Sequence, residues 1–341
     1  MTTTFAFNTL LQPASTTIQS APSGFDPQVA FFLASATAAV VQLFAQGSTT
    51  LSPAMLAALP LAGGAASYQQ LATLSTSEEL GLGSSPATTT QPSSTPGEFM
   101  QTTIGVALQA LDSSQNPLFT VIALRGTQTY SEWVNDLTAI PQGFALAFNV
   151  GSVHSGFYTV YTTGPNGLAA SPGQARPPGS LAAQILSLVT ASSWPSKVPL
   201  FVTGHSLGAA LAELCAMDLV SNAQSHFSSL TMINFAPPRV SAGFLDQGST
   251  LPADLYDPTK FMTNFQAKVP SSYSVVNAAD LVPVLPPTLG KASAIQIEFF
   301  PAVAASNVIM YCAQLGTIGN NHELTLNYLP YMAALAAGFS T

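Results

Sequence analysis

A strand pattern, a short turn and a helix pattern follow one another at residues 198–219, and this segment constrains the fold of the chain more than any other. It reads VPLFVTGHSLGAALAELCAMDL. Gly204 and Gly208 stand two residues before and two residues after Ser206, so the backbone can turn sharply without a clash of side chains. Such a turn lifts the Ser206 hydroxyl above the edge of a sheet, beside a helix N-terminus that would stabilise a developing negative charge. The alternative interpretation is a serine in an ordinary tight turn.

Strand patterns alternate with helix patterns along most of the chain. Two short apolar runs on either side of the turn at 112–116 predict a hairpin of buried strands. We expect helices at 26–46, 53–62, 180–192, 207–220 and 324–337, and strands at 104–111, 118–124, 198–203, 230–235, 273–277, 295–299 and 308–314. This alternation predicts an α/β fold in which a sheet is covered by helices on both faces.

The first hundred residues differ in composition from the rest of the chain. Residues 1–24 are rich in Pro, Ser and Thr and predict an extended arm, and residues 74–98 form a low-complexity stretch that predicts a surface loop. We therefore expect residues 1–98 to form an N-terminal arm, helices and a low-complexity loop that pack on a main domain of residues 99–341.

Charged side chains are scarce, which excludes several classes of protein. The 341 residues include seven Lys and Arg and 15 Asp and Glu, so charged residues make up 6%, against about 25% in an average soluble domain. Seven scattered basic residues exclude a nucleic-acid-binding surface, and a hydrophobic fraction of 47% excludes charge-driven disorder. The longest uncharged apolar run, Val29 to Phe44, contains polar side chains and is shorter than the ~20 residues of a spanning helix. We expect a packed helix there and no membrane span.

Neither a targeting segment nor a metal site is indicated. The first twenty residues lack a basic region, so we expect no classical signal peptide and a soluble protein that is cytoplasmic or non-classically secreted. The two cysteines, Cys215 and Cys312, are too few for a disulfide framework. No His or Cys residues occur at metal-ligand spacing, so we expect no metal and no cofactor.

A serine nucleophile needs a base, and the base needs a carboxylate that orients it. In α/β folds with this turn, the acid and then the base follow the serine along the chain. His154 precedes Ser206, His205 lies inside the turn, and His226 comes before most of the acids. This leaves His322, just before the closing helix, as the predicted base.

Asp280 is the best-placed acid between Ser206 and His322. It follows a predicted strand and precedes LVPVLPP, whose prolines give a rigid exit, and ligands of α/β folds gather at the carboxyl ends of strands. The other candidates in this interval are Glu213, Asp218, Asp246, Asp254, Asp257 and Glu298. We predict that Asp280 orients His322, and that Arg125 and Arg239, at the ends of apolar strands, serve the structure.

Six motifs occur in an order and spacing that resemble the class 3, fungal-type triacylglycerol lipases of the α/β-hydrolase superfamily. They are LRGTQTYSEWVNDL (124–137), VHSGFYTVY (153–161), VTGHSLGAALAEL (202–214), NFAPPRV (234–240), VVNAADLVPVLPP (275–287) and NNHEL (320–324). The resemblance implies an α/β-hydrolase fold with a mostly parallel sheet, and a triad at Ser206, Asp280 and His322. It further implies an oxyanion hole formed by the N–H groups of Thr127 and Leu207.

The segment after Thr127 predicts a short amphipathic helix. Its apolar side chains recur at the spacing of one helix face, at Tyr130, Trp133, Val134 and Leu137. The position beside Thr127 resembles the lid of the same family, which covers the site in water and opens on a lipid surface. A helix that simply packs on the core is the alternative.

Together these features predict a serine hydrolase of lipid esters that meets a lipid–water interface, with triacylglycerol lipase activity as the main expectation. Within the same fold, a phospholipase A1, a carboxylesterase or a polyester depolymerase are alternatives. A catalytically silent hydrolase-fold binding module is the alternative from another class.

Overall fold

A computed structural model of the protein describes residues 21–79, 99–126, 140–167, 176–244, 257–286, 297–300, 304–310 and 318–338. The α-helices in these ranges are α1 (Pro27–Ala45), α2 (Pro53–Ala57), α3 (Ser155–Thr162), α4 (Leu181–Thr190), α5 (Leu207–Asn222), α6 (Lys260–Lys268), α7 (Ile318–His322) and α8 (Leu329–Ala336). The strands are β1 (Ser67–Glu79), β2 (Phe99–Leu111), β3 (Pro117–Leu124), β4 (Pro141–Gly143), β5 (Ser152–His154), β6 (Leu200–His205), β7 (Leu230–Phe235), β8 (Ser241–Phe244), β9 (Ser272–Asn277), β10 (Ile297–Phe300) and β11 (Ser306–Met310).

The central sheet has the strand order β1-β2-β3-β6-β7-β9-β11. The pairings of β1 with β2 and of β2 with β3 are antiparallel, whereas β3, β6, β7, β9 and β11 run parallel. Helices α3, α4 and α5 contribute to the apolar cluster on one face, and α1 and α8 contribute to the cluster on the other. A second, antiparallel sheet has the order β10-β8-β5-β4. The predicted α/β fold, with a mostly parallel sheet covered on both faces, is confirmed.

Strand β1 was not expected from the sequence. Residues 74–79, which their composition assigns to a surface loop, continue this strand, and β1 pairs with β2 from Ser67 to Glu79. The polar side chains are accommodated because β1 lies at the edge of the sheet and its hydroxyls find carbonyl partners. The Oγ1 of Thr76 donates to Val160 O at 3.1 Å, and the Oγ of Ser77 donates to Gly164 O at 2.9 Å. The division predicted at residue 98 stays a prediction.

Helix α1 is surrounded by other parts of the molecule. Asp26 caps its start, since its Oδ1 accepts from the N–H groups of Gln28 and Val29 at 2.8 and 3.2 Å. Phe32 stacks on Tyr68, with 4.5 Å between ring centroids. Among the described helices α1 is long and apolar enough to cross a membrane by length and composition, and 67% of the tested window is buried inside the molecule. The apolar length of α1 therefore serves a core position between the sheet and α8.

The closing helix is interrupted near its start. The sequence predicts one helix over 324–337, but Leu324–Tyr328 forms a π-helical turn before α8 begins. Pro330, in the first turn of α8, has no N–H to donate, so a continuous α-helix would lose a hydrogen bond there. The N–H of Leu329 instead reaches back five residues to Leu324 O.

Ser206, Asp280 and His322 lie at one edge of the central sheet. Strand β3 leads into Arg125, β6 leads into Ser206, and β9 ends three residues before Asp280. His322 is the last residue of α7. Because parallel strands end at a common edge, chain segments that are far apart in sequence meet there.

Candidate active site

Ser206 occupies a strained turn between β6 and α5. Its backbone has φ 58° and ψ −127°, in the region that non-glycine residues rarely adopt, at a typical cost of about 1–3 kcal/mol. The surrounding hydrogen bonds hold this conformation, since Ser206 N donates to Phe235 O at 3.1 Å. Ser206 O accepts from Ala209 N at 2.9 Å and Ala210 N at 3.2 Å. The turn predicted from the glycine spacing is therefore built into both the sheet and the helix.

The two glycines around Ser206 leave no room for a side chain. A Cβ on Gly204 would overlap the backbone carbonyl of Gly208. A Cβ on Gly208 would overlap the carbonyls of Leu124 and Arg125 at the end of β3. The N-terminus of α5 thus lies directly against the β3 exit, which is why glycine is required at both positions.

His322 and Asp280 form a hydrogen-bonded pair. The distance from His322 Nδ1 to Asp280 Oδ2 is 2.8 Å, and both side chains are buried. The other oxygen, Asp280 Oδ1, accepts from Val282 N at 2.9 Å. A carboxylate on Nδ1 fixes the tautomer of the ring, so Nε2 is left to act as a proton acceptor.

Two cross-links join the loop that carries Asp280 to the segment that carries His322. Asn277 Nδ2 donates to Asn321 O at 3.1 Å, and Asn321 Nδ2 donates to Ala279 O at 3.2 Å. The two asparagines set the separation of Asp280 and His322, a function that the sequence motifs alone did not assign to them.

The predicted oxyanion residues are only partly within the described ranges. Leu207 is the first residue of α5, so its N–H is one of those at a helix N-terminus that have no partner within the helix. Thr127 and the lid residues Tyr130, Trp133, Val134 and Leu137 lie outside the described residues. Gly126, which precedes Thr127, lies against Ser206, since a Cβ there would lie 2.9 Å from Ser206 Cβ and 3.5 Å from Oγ.

Arg125 holds the β3 exit in place. Its Nε donates to Thr103 O and its Nη1 donates to Gly126 O, both at 2.7 Å. The guanidinium carbon lies 3.6 Å from the ring centroid of Phe44, near the end of α1. Arg125 is buried and holds backbone next to Ser206, as a structural role predicts. Likewise Arg239 contacts backbone, with Nη1 3.3 Å from Pro286 O.

His205 contacts His322, which the sequence did not reveal. Its Nε2 lies 2.8 Å from His322 O, and the two rings are 4.5 Å apart between centroids. Burial, followed by the neighbouring His322, holds the pKa of His205 well below its usual value. A neutral His205 therefore donates from Nε2 to the carbonyl, because a carbonyl can only accept. The sequence indicates only that His205 lies next to Ser206 in the turn. The partner, His322, lies 117 residues away, so the local pattern could not show the contact.

The other acids between Ser206 and His322 have partners of their own or lie outside the described side chains. Glu213 accepts from Asn234 Nδ2 at 3.0 Å, and Asp218 pairs with Arg176. Asp257 accepts from Thr259 N at 2.9 Å. Asp246, Asp254 and the side chain of Glu298 are not described. Within the described part of the chain, no three His, Cys, Asp or Glu side chains are grouped as a metal site would require.

Comparisons with known proteins point to one family. Residues 121–290 match the family model described as Lipase (class 3). Phospholipase A1-II 7 of Oryza sativa subsp. indica is 35% identical over 187 residues, which are 49% of this chain and 41% of that protein. A lipase of Rhizomucor miehei is 30% identical over 183 residues, which are 53% of this chain and 40% of that protein.

The fold is also found in a solved structure. A fungal lipase–inhibitor complex matches with a TM-score of 0.50 at 19% identity, covering 95% of this chain and 100% of that chain. This match shows the fold, and the predicted α/β-hydrolase architecture is confirmed. In sequence, the chain spans about two fifths of the length of the curated relatives given above.

His154 makes the stability of the fold depend on pH. It caps α3, because its Nδ1 accepts from Gly156 N at 3.0 Å, and burial lowers its pKa from 6.5 to about 4. In the unfolded chain the imidazole takes up a proton near pH 6.5, so below that pH protonation favours unfolding. Through this group the free energy of unfolding of the wild type should fall by up to about 3 kcal/mol between pH 6.5 and 4. We expect His154→Asn, which retains a capping oxygen but has no titrating group, not to show this fall. Urea unfolding at pH 4.5, 5.5 and 7 measures this loss. The control variant His226→Asn, at a partly exposed histidine, should lose as much stability on acidification as the wild type. An equal loss in the wild type and in His154→Asn would show that His154 does not cause the pH dependence.

Proposed function

Because this chain belongs to the class 3 lipase family, we propose that it is a serine hydrolase of lipid esters, with triacylglycerols as its main substrates. The observation that carries the proposal is the 2.8 Å contact of His322 Nδ1 with Asp280 Oδ2. This pair lies at the same sheet edge as Ser206, whose strained backbone and helix N-terminus suit a nucleophile.

On this proposal the reaction proceeds through an acyl-enzyme. His322 Nε2 takes the hydroxyl proton of Ser206 as Oγ attacks the ester carbonyl carbon, and Asp280 stabilises the resulting imidazolium. The tetrahedral intermediate collapses, the proton passes from His322 to the leaving alcohol, and the acyl group stays on Oγ. Water, deprotonated by His322, then releases the fatty acid and restores the serine. No cofactor or metal enters these steps.

The negative charge on the tetrahedral oxygen needs donors that are in place before the reaction. The N–H of Leu207 at the start of α5 is one proposed donor, and the N–H of Thr127 is the other, with the Thr127 hydroxyl as a further candidate. Support comes from Gly126, whose position against Ser206 brings the β3 exit to the nucleophile. Arg125 Nη1 holds the carbonyl of Gly126 by a hydrogen bond of 2.7 Å.

Ser206→Ala is expected to abolish hydrolysis of p-nitrophenyl esters, by at least about 10³-fold, while the protein stays folded. The expected loss follows because the alanine variant has no Oγ to form the acyl-enzyme. Rates and labelling by a fluorophosphonate probe are measured together with the exposed-site control Ser193→Ala. Full activity in Ser206→Ala would overturn the proposal. A wild-type protein that neither hydrolyses esters nor takes the label would instead indicate a silent binding module.

Phospholipase A1 activity is the second candidate, because relatives with that name match the chain at 30–35% identity. The two activities differ in the headgroup that the mouth of the site must admit. We expect triacylglycerol emulsions to be hydrolysed faster than phosphatidylcholine vesicles of the same acyl composition, measured by fatty acid release. The reverse order would make phospholipase A1 the main activity, with the same triad.

Exposed apolar side chains next to the triad support a lipid–water interface as the partner. Leu281 follows Asp280 directly, Val284 lies four residues after it, and Leu326 lies four residues after His322, with exposures of 43%, 48% and 49%. We call these three residues the apolar rim. The proposed lid over residues 130–137 would add its apolar face to the rim when it opens. Helix α1 is packed in the core, so the rim is the surface that we expect to contact lipid.

The double variant Leu281→Ser and Leu326→Ser is expected to lower the rate on emulsified triacylglycerol by about 30-fold, since each exposed leucine contributes on the order of 1 kcal/mol to adsorption. The rate on a soluble short-chain ester should fall much less, because that substrate reaches the site from water. Leu61→Ser is the matched control, as Leu61 is 60% exposed near the opposite end of the sheet. Equal losses on both substrates, or a similar loss in the control, would count against the rim.

A further inference from the structure

The carboxylate of Asp280 has a further hydrogen-bond partner besides the imidazole. Tyr328 OH donates to Asp280 Oδ2 at 2.6 Å, which is the same oxygen that His322 Nδ1 approaches to 2.8 Å. Val282 N binds the other oxygen at 2.9 Å. Hydrogen bonds to an ionised acceptor are short and strong, so the tyrosine competes with the imidazole for the charge of one oxygen.

Tyr328 is itself held firmly. Its hydroxyl accepts from Asn277 N at 3.1 Å, at the end of β9, and its side chain is fully buried. The ring meets those of His205 and Phe235 edge-on, with centroids 5.7 and 6.4 Å apart. A phenol that accepts one hydrogen bond donates a stronger one, so the link from Asn277 polarises the contact with Asp280.

The π-helical turn explains how Tyr328 reaches this place. Leu324–Tyr328 begins two residues after His322, and Tyr328 is its last residue. The wider turn brings a side chain six residues beyond His322 back to the carboxylate that His322 contacts. Asn327 Nδ2 bonds to Asn320 O and ties the turn to α7. Single π-turns inside helices are frequent at functional sites.

We propose that Tyr328 is a positioning residue of the triad, which fixes the Asp280 carboxylate and weakens its attraction for the protonated His322. The inference rests on the proposed function, since it concerns the base of that reaction. Tyr328 touches neither substrate nor reacting atoms and acts through Asp280.

Tyr328 is expected to influence how the activity depends on pH. The phenol shares the negative charge of Asp280 Oδ2, so it reduces the stabilisation that this carboxylate gives to a positive charge on the imidazole. Among the described residues, the other titratable groups near the pair are His205, which stays neutral because of its lowered pKa, and the exposed Glu323. Removing the phenol hydroxyl should therefore move the acid limb of kcat/KM to higher pH.

The experiment compares Tyr328→Phe with wild type between pH 5 and 9, using a soluble p-nitrophenyl ester. We expect the acid limb of kcat/KM to rise by about 0.5–1 pH unit and kcat at pH 8 to fall by about tenfold. Tyr161→Phe is the matched control, because Tyr161 OH donates to the buried Asp218 Oδ2 at 3.1 Å. Tyr161→Phe also loses a hydrogen bond from a tyrosine to a buried carboxylate, but this carboxylate is on α5 and outside the triad. This variant should lower Tm without moving the acid limb of kcat/KM.

A second variant keeps the test decisive if Tyr328→Phe does not fold. Replacement of Tyr328 by 3-fluorotyrosine retains the ring and makes the phenol a stronger donor, so the acid limb should move to lower pH. An unchanged acid limb in the folded variants overturns the inference. Ser206→Ala is assayed in parallel, because activity that persists in that variant would show failure of the proposed function instead.

Discussion

The close backbone contact between the exit of β3 and the start of α5 determines where the groups of the site lie. Gly204, Gly208 and Gly126 each occupy a place where a Cβ would overlap neighbouring backbone or Ser206. Without side chains there, the carbonyls of Leu124 and Arg125 approach the first turn of α5. Ser206 and the β3 exit are thereby brought together, and packing on both sides holds the strained backbone of Ser206.

The supports of the site are mostly neutral or internally paired, in keeping with a chain that has few charges. Arg125 is buried against carbonyls and the ring of Phe44, and His205 is kept neutral by burial. Asn277 and Asn321 join the loop that carries Asp280 to the segment that carries His322 through amide–carbonyl bonds. Such bonds are short-ranged and weakly affected by salt, so the geometry of the site depends on packing more than on long-range electrostatics.

The sequence predicted what depends on local pattern, and missed what depends on tertiary contacts. The alternation of strands and helices predicted the sheet, and the chain order singled out Asp280 and His322, which the structure brings into contact. Strand β1 was not predicted, because its Ser and Thr side chains donate hydrogen bonds to carbonyls from distant segments of the chain. The contacts of Tyr328 with Asp280 and of His205 with His322 were not predicted for a similar reason. In each pair the two residues lie far apart in the sequence.

The stretch that matches the family model is shorter than the part of the chain that packs around the central sheet. The stretch that is shared with the family, residues 121–290, omits α1, β1, β2 and α8. Those elements supply one antiparallel side of the sheet and the apolar layer over Phe235 and Val275. A chain cut back to the shared stretch would leave that face of the sheet in water and would remove the ring that Arg125 packs on. Residues 121–290 are therefore expected to need α1, β1, β2 and α8 in order to fold stably.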